Sequence, residues 1–288
     1  MMRESIFIKA PAKINLSLDI IGRRPDGFHL VEMVMQTISL CDHITLEAAD
    51  GAIHLHCSHP FVPAGSGNIV WKAAHLLKST YGSAEMGAVI TVEKHIPVSA
   101  GLGGGSSDAA AVLKGLNELW DLRLSPAQLA ELGLRLGADV PFCLQGGTAL
   151  ARGIGEELTP VAPPPSLWVV LLKPNMGVST GEVYREFVQG RVRTRPDTQR
   201  LVSALEAGDY QAMAESMANV LESVTFRRFP ILRRLKQKAL ELGALAAMMS
   251  GSGPTIFALT PEYKRAAAIY NRLRHQVEFA HITTFWEE

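Results

Sequence analysis

Four glycines fall within five residues in the stretch Pro97-Val-Ser-Ala-Gly-Leu-Gly-Gly-Gly-Ser-Ser-Asp108. Such a run reads as a loop. Beyond Asp108 the apolar residues Ala109, Val112, Leu113, Leu116, Leu119 and Trp120 recur with the spacing of one helical face. The loop therefore feeds a helix N-terminus, where unpaired N–H groups and the positive end of the dipole favour an anion. Glycine lets the backbone approach that anion closely, because no Cβ intervenes.

The residues exclude the common phosphate loops. A P-loop ends in Gly-Lys-Ser/Thr, but Gly105 is followed by Ser106. A dinucleotide fingerprint starting at Gly101 requires glycine where Ser106 stands. The His-Arg-Asp and Asp-Phe-Gly signatures of protein kinases are missing from the sequence. A bland surface turn before an ordinary helix is the competing reading. The serine pair either caps the helix or offers hydroxyls to phosphate or Mg²⁺.

Pro97–Asp108 resembles the central motif of the GHMP kinases (galactokinase, homoserine kinase, mevalonate kinase and relatives). Pro11-Ala-Lys-Ile-Asn-Leu-Ser-Leu18 and Met249-Ser-Gly-Ser-Gly-Pro-Thr255 resemble that family's other two motifs, in the family's order. Three further details resemble one branch, whose acceptor alcohol carries a cytidine diphosphate. They are Arg24-Pro-Asp-Gly-Phe-His29, the Gly-Leu-Gly-Gly-Gly-Ser-Ser form of the loop, and Gly137-Ala-Asp-Val-Pro-Phe142. The resemblance implies an α+β, two-domain GHMP kinase fold. The N-terminal domain would be ribosomal-protein-S5-domain-2-like, over residues 1–160. The C-terminal domain would be ferredoxin-like, over residues 161–288. The active site would lie in the cleft between them, with ATP and Mg²⁺ as cofactors.

The bulk composition agrees with such an enzyme. The chain has 288 residues, with 47% hydrophobic and 19% charged, and its formal net charge is zero. No global field would hold nucleic acid or an anionic membrane, so phosphate recognition has to be local. The apolar runs stop short of the roughly 20 residues of a membrane span, and Met1-Met-Arg-Glu-Ser-Ile lacks a leader's apolar core. The three cysteines show no CxxC spacing, so a reducing cytoplasm is expected. The expected partner is a small-molecule substrate, and the expected state a monomer or weak homodimer. His54 and His56 would share one face of a strand, but no second ligand cluster stands nearby in the sequence, so exposed strand histidines are expected there rather than a metal.

Periodicity predicts strands over most of the first 60 residues. In the first, Lys13, Asn15, Ser17 and Asp19 make a polar face opposite Ile14, Leu16, Leu18 and Ile20. Further strands are predicted at Val31–Ser39, Ile44–Ala48 and Val89–Glu93, and helices at Asn68–Tyr81 and Ser125–Leu136. The second helix has Ser125 as N-cap and Pro126 at N1. Pro160–Pro165, with four prolines in six residues, reads as a linker. Beyond it strands are predicted at Leu167–Leu172, Ala246–Met249, Thr255–Leu259 and Ala280–Phe285. Helices are predicted at Thr198–Ala207, Ile231–Leu242 and Pro261–His275.

Phosphoryl transfer to an alcohol needs a triphosphate cradle, positive charge at the transferred group and an oriented hydroxyl. Asp139, in an apolar setting, reads from spacing equally as a base or as a helix N-cap. The resemblance makes it the catalytic aspartate. Lys13 reads by itself as a strand-face lysine; the resemblance makes it the catalytic cation, with Asn15 on the same face orienting substrate. The cradle is Pro97, Val98, Ser99, Ala100, Gly101, Leu102, Gly103, Gly104, Gly105, Ser106 and Ser107, with Asp108 expected as a cap. Asn68 is expected to line the adenine pocket, to cap its helix, or both. Phe28 and His29 are expected to meet the cytosine, and Tyr184 to cover its other face. The resemblance often has tyrosine at the Phe28 position, so a hydroxyl contact is absent here. No Mg²⁺ ligand is assigned by motif. Gly251, Ser252 and Gly253 either close the phosphate site or simply turn the chain between strands.

Overall fold

A computed structural model of the chain describes residues 4–286. Met1–Arg3, part of the segment read above for a leader, and Glu287-Glu288 lie outside the described residues. The elements in order are β1 (Ser5–Arg23), β2 (His29–Asp50), β3 (Ile53–Cys57), α1 (Ile69–Tyr81), β4 (Met86–Glu93), α2 (Gly104–Leu119), α3 (Pro126–Leu136), α4 (Val140–Gln145), β5 (Thr148–Arg152) and β6 (Glu157–Pro160). Then follow β7 (Trp168–Lys173), α5 (Thr180–Glu186), α6 (Thr198–Ala207), α7 (Tyr210–Ser216), α8 (Glu222–Arg228), α9 (Pro230–Glu241), β8 (Ala246–Met249), β9 (Ile256–Thr260), α10 (Tyr263–Leu273) and β10 (Phe279–Thr284).

These elements form two compact units that interleave along the chain. The first holds the chain up to Ala12, Leu40–Val98 and Gly103–Gly146. The second holds Lys13–Ser39, Ser99–Leu102 and the chain from Gly147 onward.

In the first unit the C-terminal half of β2 pairs antiparallel with β4, and β3 pairs parallel with β4. Helix α1 starts at Asn68, whose side chain accepts from the Val70 N–H. Helix α3 starts with a full capping box of Ser125 and Gln128, which satisfies two otherwise orphaned donors. One core joins α1, α2 and α3 to the sheet through Ile44, Leu46, Ala73, Leu77, Ile90, Val112, Leu116 and Leu132. Helix α2 departs from its predicted one-sided pattern: every residue from Ser107 to Leu113 is buried. Small side chains are the reason. Ala109, Ala110 and Ala111 let neighbours approach from several sides, and a Cβ on Gly115 would collide with Leu46 and Ile8.

In the second unit β10, β7, β9 and β8 form an antiparallel sheet in that order. Helices α9 and α10 cover it, packing Ala239, Ala266, Ile269 and Leu273 on Val170, Leu172, Ala247 and Ala258. The N-terminal half of β2 pairs with β5, and β5 with β6. Strands β5 and β6 and helices α5, α7 and α8 carry periodic signals too weak to place from sequence. The proline run leads from the end of β6 towards β7, inside this unit.

Two strand readings change. Val31–Ser39 and Ile44–Ala48 belong to the single strand β2. The polar interruption at Asp42 looks like a break in the sequence, but Asp42 is fully buried and ion-paired. The polar face of β1 is also not solvated: Lys13, Asn15 and Ser17 are all buried. The Ser17 hydroxyl accepts from the Val34 N–H at 3.0 Å.

Candidate active site

Within the second unit three sequence motifs meet. The Lys13 N–H donates to the Leu102 carbonyl at 2.9 Å, which ties β1 to the glycine loop. The Lys13 ammonium donates to Asn15 Oδ1 at 2.9 Å, and Asn15 Nδ2 contacts Met33 Sδ at 3.2 Å. From the other side the β8–β9 turn grips the loop. The Ser250 hydroxyl donates to the Gly101 carbonyl at 2.8 Å, and the Thr255 N–H reaches the Ala100 carbonyl at 3.3 Å. The turn has its own brace: Asn219 Nδ2 donates to the carbonyls of Met249 at 2.8 Å and Gly251 at 2.7 Å. Gly251–Gly253 is therefore both a turn between strands and a support of the loop.

The loop backbone repeatedly enters the left-handed region. Ser99, Gly101 and Gly103 have φ of 52°, 75° and 70°, while Ala100 and Leu102 between them are buried. Alternation of left-handed with right-handed residues is the backbone pattern from which anion-binding nests are built. At Gly101 both the space and the backbone favour glycine. A Cβ there would run into the Ser250 carbonyl oxygen and stand 3.0 Å from that of Gly253.

The chain then enters α2, in the first unit, with Gly103 as N-cap and no side-chain cap. The serines do not cap, and neither does Asp108. Ser107 is buried and donates to the Pro11 carbonyl at 2.7 Å, which leaves Ser106 as the half-buried hydroxyl of the helix start. Asp108 faces Lys94, with Lys94 Nζ at 2.6 Å from its Oδ2. The same ammonium pairs with Asp42. Asp42 Oδ1 also accepts from the N–H groups of His95 and Ile96, the latter at 2.8 Å. One buried cluster of Lys94, Asp42 and Asp108 thus pins the segment leading into the loop and the helix leading out of it.

This cluster holds one cation and two carboxylates. Burial alone would lower Lys94, but the two carboxylates outweigh it and raise it. Burial raises Asp108 to about 7, opposed by Lys94 and reinforced by Asp42. Asp108 Oδ1 is buried with no hydrogen-bond partner, so burial of this oxygen is not offset by a donor. Sequence reading missed this cluster. Its one available signal was a lysine three residues before Pro97 and an aspartate closing the same motif.

Asp139 occupies the N-cap position of α4 but makes no side-chain cap hydrogen bond. The bland capping role is thus not the one its carboxylate fills. Asn68 uses both ends of its carboxamide inside the protein: Oδ1 caps α1 at Val70, and Nδ2 donates to the Pro63 carbonyl at 2.8 Å. Both residues belong to the first unit, and Lys13 to the second.

Phe28 and His29 close the β1–β2 hairpin in the second unit. Phe28 is 58% exposed at the turn, which is held by the Arg24 N–H on the Phe28 carbonyl at 2.7 Å. His29 stands against Tyr184, with ring centroids 5.4 Å apart and tilted 45°. That spacing leaves no room for a base between them, so the two rings form one wall rather than opposing jaws. Burial, then Arg23, lowers the His29 pKa, which favours the neutral ring. His54 and His56 lie on the exposed face of β3.

Residues 68–147 match the GHMP kinases N terminal domain, and residues 201–278 the GHMP kinases C terminal domain. The chain belongs to the GHMP kinase family. It is 50% identical over 271 residues to the 4-diphosphocytidyl-2-C-methyl-D-erythritol kinase of Alkaliphilus metalliredigens, covering 94% of this chain and 93% of that protein. It is 52% identical over 269 residues to the enzyme of that name from Geobacillus thermodenitrificans, covering 93% and 92%. A crystal structure of 4-(cytidine 5'-diphospho)-2C-methyl-D-erythritol kinase superposes with a TM-score of 0.84 at 35% identity, covering 98% of this chain and 100% of that one. Among the described residues no helix is long and apolar enough to cross a membrane.

Proposed function

We propose that this chain transfers the terminal phosphoryl group of ATP to the 2-hydroxyl of 4-diphosphocytidyl-2-C-methyl-D-erythritol. The products are the 2-phosphate and ADP, and the step serves isoprenoid precursor synthesis. The observation that carries the reading is the junction of buried Lys13 with the glycine loop through Leu102, together with the likeness to enzymes of this name.

The chemistry follows from few parts. The N–H groups of the Ser99–Gly105 segment and the α2 N-terminus receive the triphosphate oxygens. What supports such a guest is the run of positive φ at Ser99, Gly101 and Gly103 leading into the uncapped N-terminus of α2, while Gly101 is needed for the close packing of the loop on the β8–β9 turn. Magnesium would neutralise charge between the phosphates, and the half-buried Ser106 hydroxyl would be a ligand for it, since Ser107 is spent on the Pro11 carbonyl. The Lys13 ammonium offsets charge on the phosphoryl group in flight. Asp139 accepts the proton of the 2-hydroxyl as that oxygen bonds to phosphorus and the bond to ADP breaks. Asn15 orients the acceptor, and Asn68 borders the adenine. Exposed Phe28 and the neutral His29–Tyr184 wall bind the cytosine: Phe28 offers a face, and neutral His29 both a donor and an acceptor.

ADP release is measured with Mg-ATP and four acceptors: the cytidine substrate, homoserine, mevalonate and galactose. Turnover with the cytidine substrate alone is expected. Turnover with homoserine or mevalonate instead would keep the kinase and overturn the cytosine wall.

A further inference from the structure

A second polar cluster stands on the opposite side of the backbone from the Lys94 ion cluster. His43 on β2 and Glu93 on β4 face each other in antiparallel register. His43 Nδ1 lies 3.8 Å from Glu93 Oε2. The His95 ring meets the His43 ring edge-on, with centroids 4.9 Å apart. One ligand atom from each of the three residues lies within 4.8 Å of the other two. We propose that His43, Glu93 and His95 form a binding site for a divalent transition metal of the Zn²⁺ type, separate from any magnesium carried by the nucleotide.

The convergence follows from strand alternation. Successive side chains point to opposite faces of a strand. Asp42 points inward on β2, so His43 and its cross-strand partner Glu93 point outward; just beyond β4 Lys94 turns in to Asp42 and His95 stays exposed beside them. The buried ion pair and the His95 N–H on Asp42 hold both backbones in place, so the ligands are presented on a rigid base. Phe7 packs edge-on against His43 at 5.4 Å and limits its rotation.

Two imidazoles and one carboxylate suit zinc, and they leave a fourth position for water. Zinc with bonds of ~2.1 Å separates its ligands by roughly 3.4 Å, so small side-chain rotations close the cluster. All three side chains are at least partly accessible, which gives the ion a route in. Hard magnesium prefers oxygen ligands and does not compete here.

The test is Zn²⁺ uptake by the full chain, stripped with a chelator and dialysed, read by competition with a chromophoric chelator. Co²⁺ is the optical probe of coordination. One Zn²⁺ per chain with micromolar affinity is expected, unaffected by excess Mg²⁺, and Co²⁺ is expected to give a tetrahedral visible spectrum. His43→Ala and His95→Ala should each weaken binding by ~10-fold or more, while retaining the circular dichroism and melting temperature of the parent. The double variant His54→Ala/His56→Ala should bind as the parent does. No uptake at millimolar Zn²⁺, undiminished binding in His43→Ala and His95→Ala, or loss on removing His54 and His56 would each overturn the site.

Discussion

Replacing Lys94 by methionine removes the cation of the buried cluster and leaves Asp42 and Asp108 facing each other out of water. Methionine keeps the length and the apolar stem, so packing loss is small and the effect isolates charge. At 2.6 Å and an effective dielectric near 20, one Lys94–carboxylate pair has a gross attraction of about 6 kcal/mol. Desolvation offsets part of this, and breaking a buried pair costs about 3–5 kcal/mol net. A loss of that size lowers the melting temperature by on the order of 10 °C in a chain this long. The loss must also depend on pH. Asp108 titrates near 7 folded against 3.8 normally, so between those values the folded state binds the extra proton. Its contribution to stability is therefore present at low pH and declines as pH rises towards 7, by at most about 4 kcal/mol. Without Lys94 that titration moves higher still, so the Lys94→Met penalty should be large at pH 8 and smaller at pH 5.5. Urea unfolding followed by circular dichroism at both pH values measures this. Lys94→Met/Asp108→Asn should recover most of the loss at pH 8, because one carboxylate is then neutral. A penalty below about 1 kcal/mol, an equal penalty at both pH values, or no recovery in the double variant would refute this electrostatic account.

Three other outcomes follow from the site. Gly101→Ala forces a side chain into the Ser250 carbonyl at a left-handed φ of 75°; ATP KM should rise at least tenfold, with about 1–3 kcal/mol lost in stability, as steady-state kinetics and thermal melting will record. Asp139→Asn should cut kcat by roughly 10²–10⁴-fold with little change in ATP affinity measured by calorimetry, and near-normal turnover would remove Asp139 as the base. Phe28→Ala, at a 58% exposed turn position, should leave melting unchanged and raise KM for the cytidine substrate, and an unchanged KM would remove the stacking role.

Local chemistry made much of this protein legible in its sequence. Ser125 and Pro126 announced α3, Asn68 announced α1, and the glycine run announced a loop before α2, because caps and φ > 0 positions depend on a few neighbouring residues. The three motifs were legible for the same reason, and the fold brings Lys13, the glycine loop and the β8–β9 turn together. What lay out of reach was pairing over long separations. Nothing near Asp42 in sequence says that Lys94 neutralises it, so β2 reads as two strands when it is one. Nothing near Lys13 says that its strand face is buried, because the cover comes from Leu102 and the turn braced by Asn219. Nor does Asp108 reveal by itself that it forgoes capping for an ion pair. Such groups leave water only when distant partners replace its hydrogen bonds and charge. The sequence specified which residues could cradle a phosphate; the tertiary structure decided which of them are held rigid, and by what.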